Sequence, residues 1–166
     1  MSAQEDFSEF KLIPIQVFDS FSICIPSFFR EQTEEEIGAM FPSALANNMW
    51  LACSEQRDAF LQISGLDDIP PKTKIQELLK QVGGQIGYLT PGFQLLGSGT
   101  KAIRGITIAC MEYKSHAVTG ENHSIVFIFP AKNKFYVGNL TASSEHQKES
   151  TQLFFLMMDS LVIKDD

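Results

Sequence analysis

Positive charge is scarce in this chain. Against 20 Asp and Glu stand 13 Lys and Arg, a formal charge of -7 over 166 residues, and the pI is near 4.9. Nucleic-acid binding draws much of its affinity from cations that neutralise phosphates, so this balance argues against DNA or RNA as a partner. It argues equally against docking on an anionic membrane surface. Cysteine is sparse too: Cys24, Cys53 and Cys110 each sit in an apolar run, and none has a closely spaced mate. Such thiols behave as small buried hydrophobes rather than zinc ligands. An odd count leaves at least one outside any intrachain disulfide, which fits a reducing compartment. No apolar run approaches the ~18 residues of a spanning helix. The start, MSAQEDFSEF, has no basic segment leading into an apolar core, so a signal peptide is not expected. A cytoplasmic protein is the expectation, and the sequons at Asn122 and Asn139 carry no weight there. Repeats, linkers and low-complexity stretches are missing as well. One domain over residues 1–166 follows, with 1–8 a loose polar lead-in.

Catalytic and cofactor motifs are equally thin. Gly92 and Gly97 have the glycine spacing of a phosphate loop, but Ser98 stands where the lysine must be. Gly83, Gly84 and Gly87 fall at the end of a helical pattern, where they cannot present amides to a pyrophosphate. There is no G-x-S-x-G elbow. The adjacent carboxylates Asp67-Asp68 and Asp165-Asp166 look like a cap and a tail, not an acid/base couple. His116 and His123 flank the turn AVTGEN, with Glu112 and Glu121 nearby. A metal or hydrolytic site could be built from those four. A closed zinc site ordinarily needs cysteine or a paired histidine motif, so solvated loop histidines are the simpler reading. No cofactor and no catalytic residue are expected.

What the chain does have is β-pattern and aromatics. Residues 103–141 hold three apolar, β-branched and aromatic runs separated by AVTGEN and PAKNK, the pattern of an antiparallel meander. The middle run, Ile125 to Phe129, is apolar without alternation and so requires cover on both faces. Further strand-like runs lie at Lys11–Phe18 and Phe21–Ile25, with a turn at Asp19-Ser20. Pro14 confines the first of these to an edge or a bulge. Met49–Cys53 and Ala59–Ile63 form a second hairpin, and Phe93–Leu96 another strand before Gly97-Ser98-Gly99. Ser27–Met40 reads as an irregular loop with at most a short helix capped by Thr33, its glutamates simply solvated. Two helices stand out. Ile75, Leu78, Leu79, Val82 and Ile86 form one apolar stripe, capped by Asp67 or Asp68 and fraying at Gly83-Gly84. The last helix starts from a capping box at Ser144 and Gln147, and turns Leu153, Phe154, Met157 and Leu161 inward. Phe155, Leu156 and Met158 widen its apolar face, which is either embedded or offered to a partner.

Fourteen phenylalanines and one tryptophan are the chain's surplus. Phe28, Phe29, Phe41 and Trp50 cluster in or beside the irregular 27–50 segment. Either that segment folds over the sheet and its aromatics complete the core, or Phe28, Phe29 and Trp50 form a contact patch for another protein or an apolar ligand.

The ordering of these runs resembles the PsbP-like α/β/α sandwich superfamily. FSICIP at 21–26, FPS at 41–43, the hairpin from Met49 to Ile63 and the helix ending before Pro91-Gly92-Phe93 carry the likeness. It continues through RGITIACMEYKS at 104–115, IVFIFPAKNKFYVG at 125–138 and the closing helix with MMDSLVI at 157–163. The resemblance covers nearly the whole chain. It implies an α+β fold, a twisted antiparallel sheet with helices on both faces. It also implies a non-catalytic role, since members act as binding modules, chaperone-like adaptors or assembly factors. No residue here carries over a Ran-binding or secretion-chaperone role, and fold alone does not fix function. The expectation is a cytoplasmic protein-binding module with another protein as partner and homodimerisation through a sheet edge or the last helix open. A carrier of a small apolar ligand, held between the 27–50 segment and the sheet, is the alternative.

Overall fold

A computed structural model describes residues 10–40, 49–55, 58–67, 69–70, 72–118 and 120–164. Ten strands and three α-helices follow one another along the chain: β1 (Leu12–Val17), β2 (Phe21–Pro26), β3 (Phe29–Glu31), α1 (Glu34–Met40), β4 (Met49–Ser54), β5 (Ala59–Leu66), α2 (Ile75–Leu89), β6 (Gln94–Ile103), β7 (Ile106–Ala117), β8 (Gly120–Ala131), β9 (Lys134–Ser143), a single 3-10 turn (Ser144–His146), α3 (Gln147–Asp159) and β10 (Val162–Ile163). Seven strands form one antiparallel sheet in the order β3-β4-β5-β9-β8-β7-β6, and three form a second in the order β1-β2-β10.

The meander β6 to β9 makes up the large sheet from its β6 edge to the middle strand β9. Its tight hairpins close on residues with positive φ, Arg104-Gly105 between β6 and β7 and Lys132-Asn133 between β8 and β9. Two-residue turns of that kind match the twist of the strands they join. The uninterrupted apolar run of β8 is split by strand alternation into two layers. Ile125, Phe127 and Phe129 enter a core shared with α3 and the small sheet. Val126 and Ile128 enter the core beneath α2. All five are at most 1% exposed. The expected sandwich therefore holds, with one addition: the N-terminal hairpin is not part of the main sheet. Paired with β10, it forms a small sheet that shares one face with α3. Pro14 lies on the outer strand of that small sheet, where a residue without an N–H does no harm.

Several local expectations shift. The β1–β2 turn runs over Phe18 and Asp19, both at positive φ, rather than Asp19-Ser20. The strand expected to stop before Gly97-Ser98-Gly99 continues through it to Ile103, because each of these residues is paired to β7. Cross-strand pairing overrides the poor strand propensity of glycine. Likewise α2 does not end at Gly83-Gly84. A Cβ on Gly83 would lie 2.9 Å from the sulfur of Met111, so glycine there lets the helix approach β7 closely. The helix has no side-chain cap; Asp67 instead pairs with Lys134 at 3.1 Å, and Asp68 lies outside the described residues. At α3 the expected cap at Ser144 is displaced. Ser143 accepts from the Glu145 amide and opens a 3-10 turn before the helix proper. The inward stripe is as expected: Leu153, Phe154, Met157 and Leu161 are at most 2% exposed, Met158 joins them, and Phe155 and Leu156 stay in solvent.

Candidate binding surface

Of the candidate contact residues, two belong to the core. Phe29 and Trp50 are each 7% exposed. Residues 29–31 form a short strand beside β4, and alternation turns Phe29 inward. The Trp50 indole N–H donates to Glu31 Oε1 at 2.7 Å, which satisfies the ring's one polar atom. Phe28 is half-buried, edge-on to Phe29 and Phe10 at 5.4 and 6.4 Å between ring centroids. Of the two alternatives for this segment, Phe29 and Trp50 follow the one in which its aromatics complete the core, and Phe28 lies at the rim of that seam. Phe41 and the FPS at 41–43 lie outside the described residues.

The glutamates of this segment are more than a solvated run. Thr33 Oγ1 accepts from the Glu36 amide and Glu36 Oε1 accepts from the Thr33 amide, both at 3.1 Å, a reciprocal capping box at the start of α1. The Arg30 guanidinium grips the same carboxylate with two N–H donors, the shorter at 2.7 Å. Those bonds, Arg30's first and the Thr33 amide's second, hold the Glu36 carboxyl down at about 2 from an ordinary 4.5. A depressed carboxyl pKa contributes stability that is complete above the unfolded value and is lost as pH falls through the folded one. We expect the melting temperature of the wild type to fall more steeply than that of Glu36→Gln between pH 4.5 and about 2. Parallel curves through that window would show that the pair adds nothing.

The two histidines part company. His123 is not a loop residue: it lies in β8, is 0% exposed, and its Nε2 is 2.8 Å from Glu112 Oε2. Its Nδ1 is buried with no hydrogen-bond partner among the described residues. His116 lies over Gly92, whose positive φ and missing Cβ make room for the imidazole. Glu121 pairs with Lys114. Of the four residues suggested by the sequence as a metal or hydrolytic group, His123 and Glu112 engage each other, Glu121 engages Lys114 and His116 rests on Gly92. Among the described residues no three His, Cys, Asp or Glu side chains converge as metal ligands do. Cys24, Cys53 and Cys110 form no disulfide, and burial pushes the Cys110 thiol up from its usual range. On the opposite face of the sheet, Ser124, Thr141, Asn139 and Tyr113 form a hydrogen-bonded row across β7, β8 and β9.

An open cleft of about 260 Å³ lies at the β8–β9 turn, lined by Ile69, Pro130 to Phe135 and Ile163. It is not at the 27–50 segment, where a ligand pocket was anticipated; residues 41–48 of that segment are outside the description.

The strand edges are the more informative feature. A free edge offers unpaired N–H and C=O groups to any extended chain, and proteins usually blunt it. Among the described residues, three of the four sheet edges are short or carry proline. β1 carries Pro14, β3 has three residues and runs on towards α1, and β10 has two residues. β6 is ten residues long, forms the far edge of the large sheet and is exposed from Gln94 to Thr100. Hairpin geometry fixes which backbone groups face out. Ile103 and Ile106 close the two-residue turn as a hydrogen-bonded pair, so Lys101, Gly99 and Gly97 bond inward to β7 while Ala102, Thr100 and Ser98 point their N–H and C=O outward. Lys101, the strand's one charge, is held by Asp159 of α3 and lies over the Phe155 ring. Leu95 and Leu96 of β6 are themselves exposed, and so is Phe155 of α3, whose ring lies under Lys101.

This architecture is that of the PsbP-like proteins. The chain is similar to cyanobacterial PsbP (CyanoP) from Synechocystis sp. PCC 6803, at 13% identity and a TM-score of 0.70 over 92% of both chains. It is also similar to PA94 of Pseudomonas aeruginosa, a protein of unknown function described as a putative regulator, at 12% identity and a TM-score of 0.61 over 93% of this chain and 99% of that one. A third likeness is to LpqN of Mycobacterium tuberculosis, which is involved in cell envelope biogenesis, at 14% identity and a TM-score of 0.56 over 95% and 92%. At these identities the likeness is one of fold. No family model and no curated protein matches the chain. Among the described residues no helix is long and apolar enough to cross a membrane.

Proposed function

We propose that this protein is a non-catalytic protein-binding module, adaptor or chaperone-like in character, which takes an extended segment of a protein onto the β6 edge. The observation that carries the reading is that edge: ten residues long, exposed from Gln94 to Thr100, with Leu95 and Leu96 in solvent, and longer than the other three edge strands. Backbone groups supply affinity in such docking, and alternate side chains supply selectivity. A non-catalytic role is supported by how the polar groups are used, since His123 and Glu112 bind each other and His116 rests on Gly92. Three thiols outside any disulfide and an acidic surface support a cytoplasmic setting away from nucleic acid and anionic lipid. A carrier of a small apolar ligand is less well supported, because Phe29 and Trp50 fill the face where its pocket would lie.

The test uses a partner captured in cells by a photocrosslinking residue at Leu96, then purified and titrated. Thr100→Pro removes an outward N–H that the folded chain does not itself use. It should weaken binding at least about tenfold, equivalent to ~1.4 kcal/mol, whereas Phe28→Ala should leave it unchanged. Equal affinity for wild type and Thr100→Pro would sink the reading.

A further inference from the structure

We infer that the occupant of the β6 edge is a second copy of this chain, paired antiparallel about a twofold axis at Thr100, so that two seven-stranded sheets join as one. Naming a second copy rests on the strand-docking reading above and identifies its partner.

Four features of the edge point to self-pairing. First, residues 94–100 carry no charge, although the whole chain carries -7, so two acidic copies can meet along them without opposing like charges. Second, the outward-facing residues are self-complementary. With Thr100 opposite Thr100 of the second copy, Ser98 falls opposite Ala102 and Ala102 opposite Ser98. Thr–Thr pairs across strands are favourable. Third, the same register puts Lys101 opposite Gly99, so each lysine meets a residue without a side chain and keeps its bond to Asp159. A register centred on residue 101 would instead set lysine against lysine. Fourth, the irregularity in β6 between Leu95 and Gly97 lies at one end of the strand. It leaves Gly97 to Ile103 regular and brings Leu95 and Leu96 beside the Arg104-Gly105 turn of the second copy, where a side chain on Gly105 would meet open space. A twofold contact of this kind closes on itself, so it yields a dimer and not a fibre.

Sedimentation velocity on the full chain tests this with two charge variants at the axis. The wild type should run at twice the 18.5 kDa chain mass. Thr100→Lys and Thr100→Glu each set like charges directly opposite one another and should run as monomers with unchanged circular dichroism. An equimolar mixture of the two should restore the doubled mass, because lysine then faces glutamate; a variant that merely misfolded would not be rescued. A wild type that is monomeric at every concentration overturns the second copy as occupant. So does a dimer indifferent to both substitutions. Monomeric variants whose mixture stays monomeric overturn the Thr100 axis. A monomeric wild type that still binds a captured partner in a Thr100→Pro-sensitive way removes the dimer and leaves the strand-docking reading standing.

Discussion

Gly138→Ala is expected to cost about 2 kcal/mol of stability, in the range of over-packing a well-filled core. Gly138 is the cross-strand partner of Phe127 in the centre of the meander. The outer end of the Phe127 ring occupies the space that a Cβ there would need. Both ring and glycine are walled in: Phe127 is 0% exposed and stacks on Phe129 with centroids 5.7 Å apart. Phe127→Ala alone should cost about 3–5 kcal/mol. In that background the sign at position 138 should reverse. With the ring gone, alanine fits, and glycine's extra freedom in the unfolded chain makes Gly138→Ala neutral or stabilising by up to ~1 kcal/mol. Urea unfolding of the four proteins gives the coupling directly. Additive losses would mean that the ring does not depend on the bare glycine beneath it.

Phe21→Ala carries the second large effect, about 3–5 kcal/mol. Phe21 belongs to the small sheet, is 0% exposed, and drives its edge into the large one, with its centroid 4.8 Å from that of Phe129 and 5.1 Å from that of Tyr136. Two polar ties lie alongside. Ser20 and Tyr136 hydroxyls are 3.0 Å apart, and the Cys24 amide donates to Ser160 Oγ at 2.8 Å. Hydrogen bonds of that kind contribute roughly 1 kcal/mol each, so the ring is the main fastener. Phe18→Ala, on the same hairpin but 37% exposed, should cost far less. Amide exchange should quicken across β1, β2 and β10 in Phe21→Ala before it does so in the large sheet. Equal losses from Phe18→Ala and Phe21→Ala would show that the small sheet is held some other way.

Both residues show where sequence reasoning reaches and where it stops. The apolar run of β8 demanded cover on both faces, and that demand alone implied a sandwich. It did not say that one cover would be a second sheet. β10 is two residues long and pairs with β2 from the far end of the chain; so short a strand has no pattern to read. The same limit hid β3. Three residues of alternation cannot be told from loop, so the sequence leaves Phe29 open between core and contact patch, and the ladder turns it inward. His123 was misjudged for a related reason. Two histidines either side of a turn suggest a solvated tip, yet the ladder continues inward from that tip, and His123, in the fourth cross-strand pair, is already fully buried.

The class of fold came from the resemblance; what composition and periodicity determined by themselves was the antiparallel meander, the two amphipathic helices, the central apolar strand and the acidic, thiol-bearing character of the chain. These are local or additive properties, written in 2- and 3.6-residue periods that survive without neighbours. What only tertiary structure decided was which aromatics are covered, which histidine is buried, and which of four strand edges is left open. Each depends on the register between segments far apart in the chain, where one residue of slip exchanges inside for outside.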